Sequence, residues 1–302
     1  MSIYVETFIR GSIEDVWQKT QTPELHEKWD LRFTSIEYLH RLDESQPQRF
    51  LYSTRIGFGL NIAGEGESVG TKNATDGSRT SALKFWSNDP KSLIEEGAGY
   101  WQYRIAHDGV CFLTSYDYRV RLGRIGRTID TLVFRPLLGW ATAWSFDRLR
   151  LWIEKDAGPA SSLRFAVVHI IATLVIALVW IYQGAIPKLL FAHESELAML
   201  TDAGIPSSAV RKLLLVIGWT EIAIGLLTVA FSKARWPFLL TIALMVVATT
   251  CVVTNSREQL WQAFNPVSLN VLMAGMAAVA LACISGAPSA SRCLRTPREN
   301  RP

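Results

Sequence analysis

The sequence predicts an α+β domain, an antiparallel sheet around a long C-terminal helix, followed by an all-α four-helix transmembrane bundle. Three observations carry that prediction. First, the 302-residue chain is 49% hydrophobic and only 19% charged, with a mean hydropathy of +0.16, too apolar for a typical soluble enzyme and too polar for a pure transporter. Second, the charge is uneven: residues 1–156 hold 20 Lys+Arg and 21 Asp+Glu, net −1, whereas residues 157–302 hold 11 and 6, net +5, which accounts for the chain's +4. Third, the apolar pattern changes along the chain from period two, through a helical run, to four long apolar stretches with almost no charge. This composition excludes a disordered protein. Cys111, Cys251, Cys283 and Cys293 have no close spacing, which excludes a disulfide-stapled scaffold and gives no support to a zinc site.

The expected organisation is a soluble domain over 1–156, a linker over 157–162, a membrane domain over 163–285 and a basic tail over 286–302. In the first part, Ser2–Arg10 reads as a strand. Ser12, three residues before Asp15, is spaced to cap a short helix, IEDVWQKT. Thr22-Pro23 opens a second, PELHEKW, with proline in its first turn. Strict alternation then places Phe50, Tyr52, Thr54, Ile56, Phe58 and Leu60 on one face of a strand, Trp101, Tyr103 and Ile105 on another, and Phe112, Thr114, Tyr116, Tyr118, Val120 and Leu122 on a third. An antiparallel sheet with one apolar and one wet face produces this pattern. Turn signals at Asp43–Gln48, Asp76-Gly77 and Asp108-Gly109 separate the strands, and GFGLNIAGEG (57–66) reads as a strand with bulges. From Ile129 to Glu154 the apolar positions Leu132, Val133, Leu137, Trp140, Trp144, Leu151 and Trp152 have helical spacing, and such a helix is expected to pack on the apolar face of the sheet.

The segment ETFIRGSIEDVWQKTQTPELHEKWD (6–30) and the terminal helix resemble the START/Bet v 1-like helix-grip superfamily, also called SRPBCC or polyketide cyclase-like, over residues 1–155. The resemblance implies a cavity between the curved sheet and the long helix and a hydrophobic ligand. Candidate lining residues are Tyr52, Thr54, Trp101, Tyr103, Tyr116, Tyr118 and Trp140, each of which could equally be a core or surface-facing aromatic or hydroxyl.

The four apolar stretches lie near 165–185, 213–231, 236–253 and 267–284, each close to the ~20 residues that cross a hydrocarbon core. Breakers fall in the links, at Pro187, Gly204-Ile205-Pro206, Pro237 and Asn265-Pro266. The second and third spans, joined by a link of only a few residues, should form an antiparallel hairpin. Arg148, Arg150, Lys155, Arg164, Lys233, Arg235, Arg292, Arg295, Arg298 and Arg301 fall on one side, against Lys188, Arg211, Lys212 and Arg257 on the other. This bias places both termini in the cytoplasm, and the charged opening MSIYVETFIRG gives no export signal. Trp180 and Tyr182 are expected to anchor the outer end of the first span. Glu221 lies inside the second, where an ionisable group marks a pathway or ligand contact, or ties helices together. His169 reads as an interfacial packing histidine, and Asn270 as a cross-helix hydrogen-bonding residue.

VWIYQGAIPKLL (179–190), GWTEIAIGL (218–226) and NPVSLNVLMAG (265–275) resemble the DoxX-like family of small four-helix membrane proteins. The positions that carry the resemblance are Trp180, Gly184, Pro187, Lys188, Glu221, Asn265, Pro266 and Asn270. Gln183 stands where such proteins often have a histidine. The implied membrane site comprises His169, Trp180, Gln183, Lys188, Glu221 and Asn270. Some relatives are linked to thiosulfate:quinone oxidation, so a redox partner subunit is one implied partner.

No catalytic nucleophile pattern is present: the five histidines are scattered and G-x-S-x-G, Walker and G-x-G-x-x-G motifs are missing. No metal ligand set or cofactor motif stands out. Arg119, Arg121, Arg124 and Arg127 form a local basic cluster, but a first half of net −1 lacks the footprint of a nucleic-acid binder; the cluster reads as a solvated hairpin edge or a contact for anionic headgroups. Three functions stay open: a membrane-anchored binder of a lipid, isoprenoid or quinone; a quinone-interacting subunit of a membrane oxidoreductase; and a non-catalytic interaction module. In each, the short linker keeps the first domain within about 25 Å of the bilayer.

Overall fold

This computed structural model describes residues 2–41, 43, 46–57 and 59–297. Phe58, Arg298, Arg301 and part of the 43–48 turn lie outside the described residues. The chain forms two compact units, one made of Met1–Ser162 with Pro288–Pro302 and the other of Leu163–Ala287.

In the first unit, β1 (Ile3–Ile9) leads into α1 (Ile13–Gln21) and α2 (Pro23–Trp29). The Ser12 hydroxyl accepts the Asp15 N–H at 3.0 Å, satisfying one of the unpaired amides at the start of α1. Six strands follow: β2 (Ser35–Tyr38), β3 (Arg49–Gly57), β4 (Leu60–Asn73), β5 (Arg79–Trp86), β6 (Ile94–Ala106) and β7 (Gly109–Val120). They form one antiparallel sheet in the order β1-β7-β6-β5-β4-β3-β2. The alternating run expected over 50–60 is divided, because Gly59, at φ 77, turns the chain between β3 and β4. The register sets Tyr103 opposite Phe112 and Trp101 opposite Thr114, so these side chains share the inner face as their alternation requires.

The long helix is built in three pieces: α3 (Gly123–Ile129), a π-helical turn over Asp130–Phe134, and α4 (Arg135–Lys155). The residues that α4 buries are small or polar as often as apolar: Gly139, Thr142, Ala143, Phe146 and Leu149 follow helical spacing. Leu132, Val133, Leu137 and Trp140, expected to pack on the sheet, are instead exposed. Residues expected in the basic tail return to this unit: Glu6 and Leu294 exchange backbone hydrogen bonds of 2.9 and 2.8 Å, and Cys293 donates to the Ala143 carbonyl at 3.2 Å.

The second unit holds four helices long and apolar enough to cross a membrane. The first is α5 (Pro159–Gln183), continued by a π-helical segment, Gly184–Leu190; its first residues occupy the expected linker. A short α6 (Glu194–Asp202), which hydropathy did not indicate, precedes α7 (Ser207–Ala230), α8 (Trp236–Asn255) and α9 (Pro266–Ile284). Their core is Ala172, Ile176, Trp180, Ile224, Phe238, Met245, Met273, Ala277 and Ala280. Small residues permit close approach: a Cβ on Gly184 would lie 2.4 Å from the Gly218 carbonyl oxygen.

Candidate functional site

Both units hold buried polar side chains, and one group in the first lies where the sheet meets α2 and α4. The inner face of the sheet has two unlike halves. On β6 and β7 it is filled: Trp101, Tyr103 and Phe112 are buried, with Phe112 stacked on Phe146 at 4.5 Å and Trp101 edge-on to His26 at 4.9 Å. The Tyr103 hydroxyl receives the Gln21 amide at 2.8 Å and lies 2.7 Å from the Thr20 hydroxyl; burial pushes its pKa well above the ordinary tyrosine value. On β3–β5 the inner face carries Phe50, Tyr52, Thr54, Leu83 and Phe85, all only partly buried. Here the rings lie over glycines. A Cβ on Gly64 would come within 2.2 Å of the Tyr52 ring, and one on Gly97 within 2.4 Å of the Phe85 ring. The result is a partly open aromatic shelf beside a closed aromatic core.

A polar chain runs along the boundary between the halves. The Thr142 hydroxyl donates to the Leu138 carbonyl at 2.8 Å, so the Tyr116 hydroxyl, 2.9 Å away, donates to Thr142. The Arg32 guanidinium lies over the Tyr116 ring at 5.6 Å. Arg32 also donates to both oxygens of Asp30, from Nε at 2.9 Å and from Nη2 at 2.6 Å, while His26 Nε2 lies 3.0 Å from Asp30. Burial alone would raise the Asp30 pKa; the Arg32 charge and the hydrogen bonds of Arg32 and His26 outweigh it and hold the carboxyl well below the usual range. Sequence reading missed this cluster, although the His26-x-x-x-Asp30-x-Arg32 spacing around the end of α2 was its visible signal.

Of the expected lining residues, Tyr52 and Thr54 lie on the shelf, Tyr116 at its edge, and Trp101 and Tyr103 in the core. Burial pushes the Tyr52 phenol up to about 12. Tyr118 sits apart: its hydroxyl donates to Asp130 at 2.6 Å and the Arg135 guanidinium lies 4.5 Å over its ring. Tyr118, Arg127, Asp130 and Arg135 line a groove of about 930 Å³ between β7 and the helical segments. Trp140 does not line the inner face: it is 40% exposed and stacks on Trp144 at 6.2 Å. Arg148, counted above as a flanking charge, is buried and donates to the carbonyls of Lys28 and Trp29 at the end of α2.

The second polar group lies in the four-helix unit. Pro187 has no N–H to give to the carbonyl four residues back, that of Gln183, and the Lys188 ammonium points at that carbonyl from 3.5 Å. Lys188 is buried, and its Nζ also meets Glu196 at 3.3 Å and Glu221 at 3.1 Å. Lys188, Glu221 and the main-chain carbonyl of Gln183 are thus brought together at the π-helical segment, with Glu196 of α6 added by the fold. His169, Trp180 and Asn270 hold the bundle elsewhere. His169 places one ring nitrogen 2.9 Å from the Ala280 carbonyl and the other 2.9 Å from that of Ser232. Trp180 is buried and donates to Thr241 at 3.2 Å, which overturns its expected interfacial role: its indole points into the bundle, and Tyr182 is the exposed ring. Asn270 donates to Thr249 at 3.2 Å, joining α9 to α8 as expected. Among the described residues, no three His, Cys, Asp or Glu side chains are grouped to hold a metal ion.

Comparison with known proteins gives matches to both units. The profile of the DoxX-like family matches residues 177–278. The uncharacterized membrane protein YndG of Bacillus subtilis is 42% identical over 238 residues, covering 78% of this chain and 79% of its own. Among solved structures, a STAR-related lipid transfer protein from Xanthomonas axonopodis is 16% identical over 51% of this chain and 86% of its own, with a TM-score of 0.39. The ZhuI aromatase/cyclase from Streptomyces sp. R1128 is 9% identical over 52% of this chain and 98% of its own, also at 0.39.

Proposed function

The chain belongs to the family of the membrane protein YndG and carries a DoxX-like second half, and from that premise we propose that it is a membrane-anchored binding protein for a hydrophobic small molecule. The observation that carries this reading is the unequal inner face of the sheet. A domain with no ligand to hold would be expected to cover Phe50, Tyr52, Leu83 and Phe85 as fully as it covers Trp101, Tyr103 and Phe112. Instead an aromatic surface stays partly open next to Arg32 and the Tyr116 hydroxyl, and a largely apolar site with a few fixed polar groups is the usual composition of a small-molecule pocket. A lipid, isoprenoid or quinone, with an apolar body and an oxygen-bearing end, suits it. The short connection into α5 keeps this unit near the bilayer from which such a ligand would come.

The soluble unit and both termini face the cytoplasm in this reading. An even number of crossings is supported by the residues before the first span and after the last folding into one compact unit. The excess of Lys and Arg on that side supports its being the cytoplasmic one.

Solvent extraction of the full chain purified in mild detergent, followed by mass spectrometry, tests the proposal. A hydrophobic molecule should be recovered at near-stoichiometric amounts and be depleted from a Tyr52→Ser/Phe85→Ser variant. Recovery of bulk lipid alone, in equal amount from both proteins, would refute it.

A further inference from the structure

The outer face of the long helix carries exposed apolar side chains. Leu122 is 68% exposed, Ile125 69%, Leu132 72%, Val133 61% and Leu137 56%. Ile125, Ile129 and Leu132 are three and four residues apart, the spacing that lines up side chains along one stripe of a helix. Leu122, at φ 66, takes a left-handed backbone conformation that bulky residues rarely adopt, yet its side chain is spent on solvent. A contiguous apolar stripe of this size on an aqueous surface calls for a partner.

The charges of the same segment say which. Arg119 is committed to Glu95 and Glu96, and Arg121 to the Ser87 carbonyl. Arg124 and Arg127 are exposed and make no ion pair among the described residues. The only acidic residue between Leu122 and Phe134 is Asp130, which is buried and paired with Arg135. The exposed surface of 122–133 is therefore apolar and hydroxyl-bearing with two unpaired positive charges, and no exposed negative one. A protein partner would need an apolar groove with an acidic rim, whereas an anionic bilayer surface supplies both parts at once and is already within reach of this anchored chain.

We infer that α3 and the π-helical turn after it dock on the bilayer, laying Leu122, Ile125, Ile129, Leu132 and Val133 into the headgroup boundary while Arg124 and Arg127 meet anionic phosphates. Arg127 and Asp130 also line the 930 Å³ groove, so docking brings one wall of that groove to the lipid.

Hydrogen exchange on the full chain in nanodiscs tests this. Peptides covering 122–133 should exchange on the order of tenfold more slowly in phosphatidylcholine–phosphatidylglycerol discs than in phosphatidylcholine discs or detergent. Arg124→Glu/Arg127→Glu should abolish that difference and Arg124→Gln/Arg127→Gln should reduce it, with β7 peptides unchanged as the measure of an intact fold. Equal exchange in both discs, or protection already complete in detergent, would overturn the inference. Neither result bears on whether the shelf holds a ligand.

Discussion

Asp30 in the first unit and Glu221 in the second are both carboxylates removed from water, yet they are satisfied by unlike means. Asp30 is saturated. Its two oxygens accept from the Arg32 Nε, Nη2 and backbone N–H, and His26 adds a further contact. That is a fork on a carboxylate, the geometry that most nearly repays the removal of two charges from water. Glu221 shares one point charge, Lys188, with Glu196, so this cluster has one more carboxylate than cation. The contrast separates a charge pair that fixes local structure from a cluster that retains capacity for another positive group. It also places an excess of carboxylate over cation at the π-helical break.

Removing the balanced partner should have the largest effect. Asp30→Ala leaves Arg32 without its counter-charge and His26 without its hydrogen-bond partner, and should destabilise the first unit by about 3–5 kcal/mol. Asp30→Asn, which keeps the shape, should cost less. Urea unfolding followed by exchange of β6 and β7 peptides measures both. The pH dependence has a definite sign. Because the folded-state pKa of Asp30 is depressed, its contribution is fully present above the ordinary carboxylate value of about 4 and is lost as pH falls below it. The wild-type unit should therefore lose more stability than Asp30→Asn on acidification; parallel losses would show that Asp30 is not what holds this region.

Lys188→Met tests the unbalanced cluster. It strands two carboxylates and should cost about 3–5 kcal/mol, with part of the loss recovered in Lys188→Met/Glu221→Gln. A coupling of about 0.5–3 kcal/mol is expected for groups in direct contact. Additive effects would mean that the 3.1 Å approach contributes nothing. Gly64→Ala comes next. Its new Cβ forces the Tyr52 ring off the sheet, at an overpacking cost of about 1–3 kcal/mol, and ligand recovery should fall as in Tyr52→Ser/Phe85→Ser.

What was legible in the sequence follows from which patterns have a single cause. Period-two alternation places Phe112, Thr114, Tyr116 and Tyr118 on one face, because nothing but a half-buried strand sorts residues that way. The helical apolar pattern of 129–154 is less specific. It marks Leu132, Val133, Leu137 and Trp140 as apolar but cannot distinguish a side chain facing a sheet from one facing outward. Here the inward positions went to Gly139, Thr142 and Ala143, since small residues let the helix approach. Trp180 was misplaced for a related reason: an indole near the end of a span suits an interface or, with Thr241 to receive its N–H, a bundle core. The Lys188–Glu221 contact joins residues far apart in sequence, and the Glu196 contribution needs α6, a helix too polar for hydropathy to reveal.

Glu196→Gln gives the smallest expected effect and the sharpest comparison. Glu196 meets the same ammonium as Glu221 at nearly the same distance, and the two side chains are similarly exposed, 19% and 15%, but Glu196 lies on α6, outside the four long apolar helices. A carboxylate outside the spans loses little when neutralised, about 0–1 kcal/mol, whereas Glu221 lies within a span, where bilayer rather than water surrounds the helix. If distance to Lys188 governed the energetics, Glu196→Gln and Glu221→Gln would be equivalent in thermal unfolding of the reconstituted chain. If position within a span governs them, Glu196→Gln should be near neutral and Glu221→Gln should not, identifying Glu221 as the carboxylate that Lys188 is placed to serve.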